Sequence, residues 1–211
     1  MKIVKLSKKA VSEATEIINN GGAIVCPSDT VYGLVCDATN KKAVEKIFKI
    51  KKRPKTKPLG VFVKDIKMAK ELAVIDENTE RFLKKNTPSK ITVILKKRSD
   101  CVLAPLVGTT LPASAKASAG TVGIRIIKND FINKILKEFS KPLAQTSANI
   151  SGQPPTTKIG EVLAQFQFRS TSGVARTQIC PDLIVDAGDL PKSKPSIIID
   201  LMHNKSNILR K

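Results

Sequence analysis

Short apolar runs alternate with amphipathic stretches along almost the whole chain, and that alternation favours one fold class over the others. Ala23-Ile24-Val25-Cys26, Leu59–Val63, Ile91–Leu95, Thr121–Ile127 and Leu143–Thr146 have the length and β-branched content of buried strands. Residues 9–20 place Ala10, Ala14, Ile17 and Ile18 at helical spacing, and Gly21-Gly22 supplies a stop. Residues 41–50 repeat the pattern with Ala43, Val44, Ile47 and Phe48 against a lysine-rich opposite face. Helices are further expected over 65–73, 76–85, 131–139 and 158–168. Late strands are expected at Leu183–Val185, Ile197–Ile199 and Ile208–Leu209. This is an α/β pattern: a single twisted mixed sheet with flanking helices. Without linker composition or an internal repeat, residues 1–211 read as one domain.

Composition removes much of the chemical menu. There is one histidine, His203, in a polar stretch that reads as a surface turn, so a Ser-His-Asp or Cys-His mechanism would have to rest on it. A His-rich zinc site cannot be built. The four cysteines show no CxxC spacing, and no apolar run reaches membrane length, which suits a reduced cytoplasmic protein with no membrane partner. Net charge is +19, an excess that draws anions such as nucleotides, pyrophosphate or RNA unless it is only a solvated lysine coat. Six of the nine residues from Lys49 to Lys57 are Lys or Arg.

Three segments carry chemistry. Pro27-Ser28-Asp29-Thr30-Val31-Tyr32-Gly33-Leu34 stops a strand and sets polar groups at its carboxyl end, where α/β sheets keep ligands. Thr30 offers a hydroxyl to a small polar substrate such as an amino acid; a helix start with Asp29 as N-cap explains the segment equally well. Lys51-Lys52-Arg53-Pro54 ends a helix with two cations a residue apart, suited to a triphosphate or simply to the helix dipole. Thr146-Ser147-Ala148-Asn149-Ile150-Ser151-Gly152-Gln153-Pro154 breaks a strand into short-stemmed donors that let phosphate approach the backbone, or forms an ordinary capped turn. Arg125 is either an anion clamp or a strand-end salt bridge. The loop 109–120 is either an exposed connector or a lid.

The order of these segments resembles the YrdC-type family. Gly-Gly, then Pro-x-Asp-Thr-Val-Tyr-Gly-Leu, Lys-x-Arg-Pro, Val-Gly-Ile-Arg, Thr-Ser-Ala-Asn-x-Ser-Gly-x-Pro and a closing Ser196…Asp200…Leu209-Arg210 run from about residue 10 to 210. The resemblance implies a concave basic active-site face and the short, single-domain form of the family. It implies an adenylyltransferase that joins L-threonine, bicarbonate or CO2, and ATP into threonylcarbamoyl-AMP and pyrophosphate for tRNA modification. Thr30, Arg125 and Ser196 are then expected at L-threonine. Lys51, Arg53, Lys57, Thr121, Ser147, Asn149 and Arg210 are expected at ATP, with Lys51 and Arg53 catalytic. Mg2+ would arrive on the phosphates, with no direct protein ligand. Expected partners are a threonylcarbamoyl transferase machinery and tRNA or double-stranded RNA. Lys51 and Arg53 are expected at the phosphates rather than in the core. Cys26 and Cys36 flank the threonine loop, so thiol modification is expected to inhibit.

The chain departs from the family at Asn86–Lys90, where a Trp-Pro-Gly-Pro turn is usual. Lys57 stands for Asn, Phe62 for His, and Gln145 for Ala or Ser. Two other readings use the same features: a non-catalytic RNA-binding or ribosome-assembly factor, and a paralogue with another carbamoyl substrate.

Overall fold

The computed structural model describes residues 1–57, 59–108, 120–166, 179–202 and 207–210. The expected turn at His203, the connector 109–119 and the end of the helix expected over 158–168 lie outside the described residues.

Ten strands form one mixed sheet. In chain order the strands are β1 (Lys2–Lys5), β2 (Ala23–Cys26), β3 (Gly33–Asp37), β4 (Gly60–Val63), β5 (Ile91–Lys96), β6 (Thr121–Ile126), β7 (Leu143–Ser147), β8 (Leu183–Asp186), β9 (Ile197–Asp200) and β10 (Asn207–Arg210). The helices are α1 (Lys8–Asn19), α2 (Lys41–Lys51), α3 (Ile66–Leu72), α4 (Glu77–Asn86), α5 (Asp130–Phe139) and α6 (Ile159–Phe166). The strands lie in the order β1-β8-β2-β3-β7-β4-β6-β5-β9-β10. Parallel pairs (β1–β8, β2–β8, β4–β6, β5–β9) mix with antiparallel ones.

Both faces of the central strands are buried, which is why they read as continuous apolar runs rather than alternating ones. In β4, Val61 and Val63 join a core with α2, α3, α4 and α6, while Phe62 points to the opposite core with α1 and α5. β3 divides the same way, Leu34 and Cys36 to one side and Val35 to the other. The core that α1 and α5 make ends at Phe62, and past it this face becomes the wall of a cleft.

The sequence reading missed two strands. β1 has two apolar residues between lysines and is mostly exposed at a sheet edge. β3 directly follows the Asp29 segment and pairs antiparallel with β2, from Ala23↔Cys36 to Cys26↔Gly33. The helix-start alternative for Asp29 is therefore corrected: the segment is a hairpin connection.

α2 ends at Lys52, whose φ of 52° is in the left-handed region that favours glycine. Its amide donates to Lys49 O at 3.2 Å, and the Arg53 amide to Phe48 O at 2.9 Å, so the strained turn is fully bonded. Lys52→Gly is expected to stabilise the protein by about 0.5–1 kcal/mol, the Cβ strain outweighing the added chain entropy. Thermal unfolding checks this through a rise of about 1–3 °C.

Candidate active site

A cleft of about 540 Å3 opens over the centre of the sheet on the α1/α5 side. Its floor is built by strand register. One row crosses Phe62, Arg125, Thr92 and Ile198 on β4, β6, β5 and β9. The next crosses Gln145, Gly60, Gly123 and Ile94, and a third holds Ser147 and Thr121. Rows two residues apart along a strand share a face and lie about 6–7 Å apart.

At the first row sits a buried ion pair. The Arg125 guanidinium, 4% exposed, pairs with Asp29 and reaches Thr30 Oγ1 at 3.5 Å. It stacks over the Phe62 ring, 5.8 Å from the centroid. Burial lowers the Arg125 pKa while Asp29 opposes the shift, so the group stays a cation. Arg125 Nε and Asp29 Oδ2 are buried without hydrogen-bond partners among the described residues. Thr30 is held by Ser28, whose Oγ accepts from the Thr30 amide at 3.1 Å and donates to Val31 O at 2.6 Å. Ser196 Oγ meets Thr92 Oγ1 at 3.0 Å, and Arg210 binds Ser196 O through Nε at 3.0 Å and Nη2 at 2.6 Å.

Tyr32 pins the rim. Its hydroxyl donates to Gly188 O at 2.6 Å and accepts from the Ala187 amide at 3.0 Å. Its amide donates to Thr156 O, and its carbonyl accepts from the Ala148 amide at 2.8 Å.

Lys51 is not where a surface cation would be. It is 1% exposed, and its Nζ donates to Ser147 O at 2.6 Å, Asn149 O at 2.6 Å and Asn149 Oδ1 at 3.0 Å. The expectation that Lys51 stands clear of the core is thus corrected: loss of water and the neighbouring Arg53 bring its pKa down to about 7. Asn149 Oδ1 also accepts from Ser147 Oγ, and its Nδ2 donates to Gln153 O at 2.6 Å, so the loop after β7 is built around the amine. Arg53 Nε donates to Lys57 O, which orders the turn after α2.

Seven of the ten expected site residues line the cleft: Thr30, Arg53, Lys57, Arg125, Ser147, Ser196 and Arg210. Lys51 and Asn149 lie buried beside it, and Thr121 is buried in the third row with Oγ1 unpartnered among the described residues. The lining carries four cations and no Asp or Glu among the described residues, the basic concave face expected. Sequence reasoning missed Asp29 as a site residue and Thr92 altogether; a hydroxyl inside the otherwise apolar run Ile91–Leu95 was the available signal. It also misjudged the cysteines. Cys26 and Cys36 are fully buried, Cys26 pushed up to about 12 and Cys36 higher still by burial, so neither is a reactive thiolate.

The Sua5/YciO/YrdC family model, described as "telomere recombination", matches residues 16–211. The chain belongs to this family. A relative from Methanocaldococcus jannaschii is 30% identical over 202 residues, covering 94% of this chain and 83% of that one. The threonylcarbamoyl-AMP synthase of Pyrococcus abyssi is 28% identical over 198 residues, covering 93% of this chain and 52% of the synthase. The crystal structure of P. abyssi Sua5 complexed with L-threonine is similar with a TM-score of 0.79 at 27% identity, over 99% of this chain and 56% of that one. The chain thus spans about half the length of these P. abyssi proteins.

Proposed function

We propose that this chain is a threonylcarbamoyl-AMP synthase, forming the adenylate from L-threonine, bicarbonate or CO2, and ATP. The observation that carries this reading is the division of one cleft. An arginine with hydroxyls (Arg125, Thr30, Ser196) sits at one row, a suitable clamp for an amino acid carboxylate. Arg53, Lys57 and the Ser147 hydroxyl line the same cleft as a suitable cradle for phosphates, with Arg210 bonded to Ser196 as a further cation. The L-threonine complex of the P. abyssi relative supports the amino acid assignment.

The chemistry asks little of general bases. The threonine amine takes up bicarbonate with loss of water to give an N-carboxylate. An oxygen of that carbamate bonds to the α-phosphorus, the bond to the β-phosphate oxygen breaks, and pyrophosphate leaves with the electron pair. The nucleophile is already an anion, so rate depends on alignment and on cations that offset charge on the phosphates. A chain with one histidine suffices.

Magnesium fits this donor set only as a companion of the nucleotide. No group of three His, Cys, Asp or Glu suited to a metal occurs among the described residues, and the cleft lining offers the hydroxyl of Ser147 but no carboxylate. On the phosphates, the ion would neutralise charge and organise the leaving group. The product would pass to a transferase acting on tRNA in the cytoplasm. Exposed Lys57 on the cleft lining, with Lys49, Lys52 and Lys55 exposed in the same stretch of sequence, would favour RNA as a further, salt-sensitive ligand.

The test is to incubate the protein with ATP, magnesium and labelled bicarbonate, with and without L-threonine, and to separate the nucleotides. A labelled, threonine-dependent adenylate with equimolar pyrophosphate is expected. Consumption of ATP without threonine dependence, or a product only with another acceptor, favours the paralogue reading. No turnover by folded protein, with RNA binding that weakens steeply in salt, favours the non-catalytic one.

A further inference from the structure

The middle row of the cleft floor carries no side chain of its own at its centre, where Gln145, Thr92 and Ile94 close in from neighbouring strands. Gly60 and Gly123 lie side by side on β4 and β6: a Cβ built on Gly123 would sit 3.9 Å from Gly60 Cα. Gln145, opposite Gly60 on β7, lays its amide across this patch, since a Cβ on Gly60 would come within 2.7 Å of Gln145 Nε2. Gln145 lines the cleft, and its side-chain amide has no hydrogen-bond partner among the described residues. A strand position facing a cleft with an unengaged amide, over two glycines that leave backbone in reach, is arranged to receive a small planar group.

The rows on either side say which group. Arg125, with Thr30 beside it, marks one side and Ser147 the other, Arg125 and Ser147 each two residues along their strands from the glycine row. Two strand residues cover about 6–7 Å. The outer rows are therefore about 13 Å apart; the bonds from an amino acid's carboxylate carbon through Cα, N, the carbamate carbon and its oxygen to phosphorus span about 6 Å, and a hydrogen-bonded contact of about 3–4 Å at each end makes up the rest. The planar N-carboxylate lies in the middle of that path. We infer that the Gly60–Gly123 patch seats the bicarbonate-derived carboxylate and that the Gln145 amide donates to it, making Gln145 a substrate-binding residue for the one-carbon unit. The amide of Gln145 holds one carbamate oxygen, leaving the other directed at the α-phosphorus. The inference rests on the adenylate-forming reading of the same cleft.

The experiment measures initial rates of pyrophosphate release while bicarbonate, L-threonine and ATP are varied singly. In Gln145→Ala the KM for bicarbonate is expected to rise about tenfold, the loss of one hydrogen bond to a charged group. The KM values for threonine and ATP are expected to stay within about twofold. Gln145→Glu, which sets a carboxylate against the anionic carbamate, is expected to lower kcat about a hundredfold without moving the thermal midpoint. An unchanged bicarbonate KM in folded Gln145→Ala protein, or a rise shared by all three substrates, overturns the inference while leaving the synthase reading intact. A wild-type protein that makes no bicarbonate- and threonine-dependent product overturns both.

Discussion

Arg125→Met is expected to lower kcat/KM for threonine by at least about a hundredfold and to destabilise the protein by about 3–5 kcal/mol. The two losses have separate causes. Arg125 is 4% exposed and Asp29 8%, so removing the guanidinium leaves a carboxylate in a place that water does not reach, with Oδ2 already unpartnered among the described residues. The stability term belongs to the stranded charge rather than to the missing contact. Adding Asp29→Asn to Arg125→Met is therefore expected to restore most of the stability and none of the threonine binding. Urea melts of the wild type, single and double variants, with threonine titrations of each, check both halves. Equal stability of single and double variants would show that the pair is not what the fold requires there. Retained threonine dependence in either would remove Arg125 from the carboxylate site.

Lys51→Met is the second large effect. It keeps the stem and removes the amine, leaving Asn149 O without its donor and Ser147 O and Asn149 Oδ1 with only the bonds from the Asn149 amide and Ser147 Oγ. The loop that presents Ser147 is then free to move, and a displacement of about 1 Å at the reacting groups costs about a hundredfold in kcat. The same amine gives a pH signature. Its pKa is lowered from 10.5 to about 7 by burial and then by Arg53, so between those values the unfolded chain binds more protons than the folded one. The contribution of Lys51 to stability therefore rises with pH across that window and is lost as pH falls through about 7. The stability of wild type minus Lys51→Met should climb from pH 7 towards pH 10. A flat difference would mean that the three surrounding oxygens hold the amine at its ordinary value.

How much of this was legible depended on what each residue advertises. Helices α1, α2 and α5 announce themselves because one face is apolar at helical spacing and caps stand at their ends: Ser7 Oγ accepts from the Ala10 amide, and Asn129 Oδ1 from Ile132. β2 and the Val61–Val63 part of β4 are legible as continuous apolar runs because both of their faces are buried, one in each core. β1 hides because an edge strand needs little apolar character, and β3 because Tyr32-Gly33 looks like the end of a loop rather than the start of a strand. The site was legible as a set of residue types at strand ends. Its internal partnerships were not. Nothing local joins Asp29 to Arg125, 96 positions apart, or Lys51 to Asn149, 98 positions apart; sheet order alone brings them together. Lysine in a basic helix end reads as solvated, and only the loop folding over Lys51 removes it from water.

The phenol of Tyr32 ties the segment before β3 to the Ala187–Gly188 turn, and its backbone ties the same segment to residues 148 and 156. Three stretches in and beside the cleft wall thus share one anchor, ordered when the sheet forms rather than when ligands arrive. Ordering entropy that an induced loop would subtract from substrate affinity is here already part of the folding equilibrium. The cleft is preorganised, and its affinity and the stability of its rim rise or fall together through a single residue.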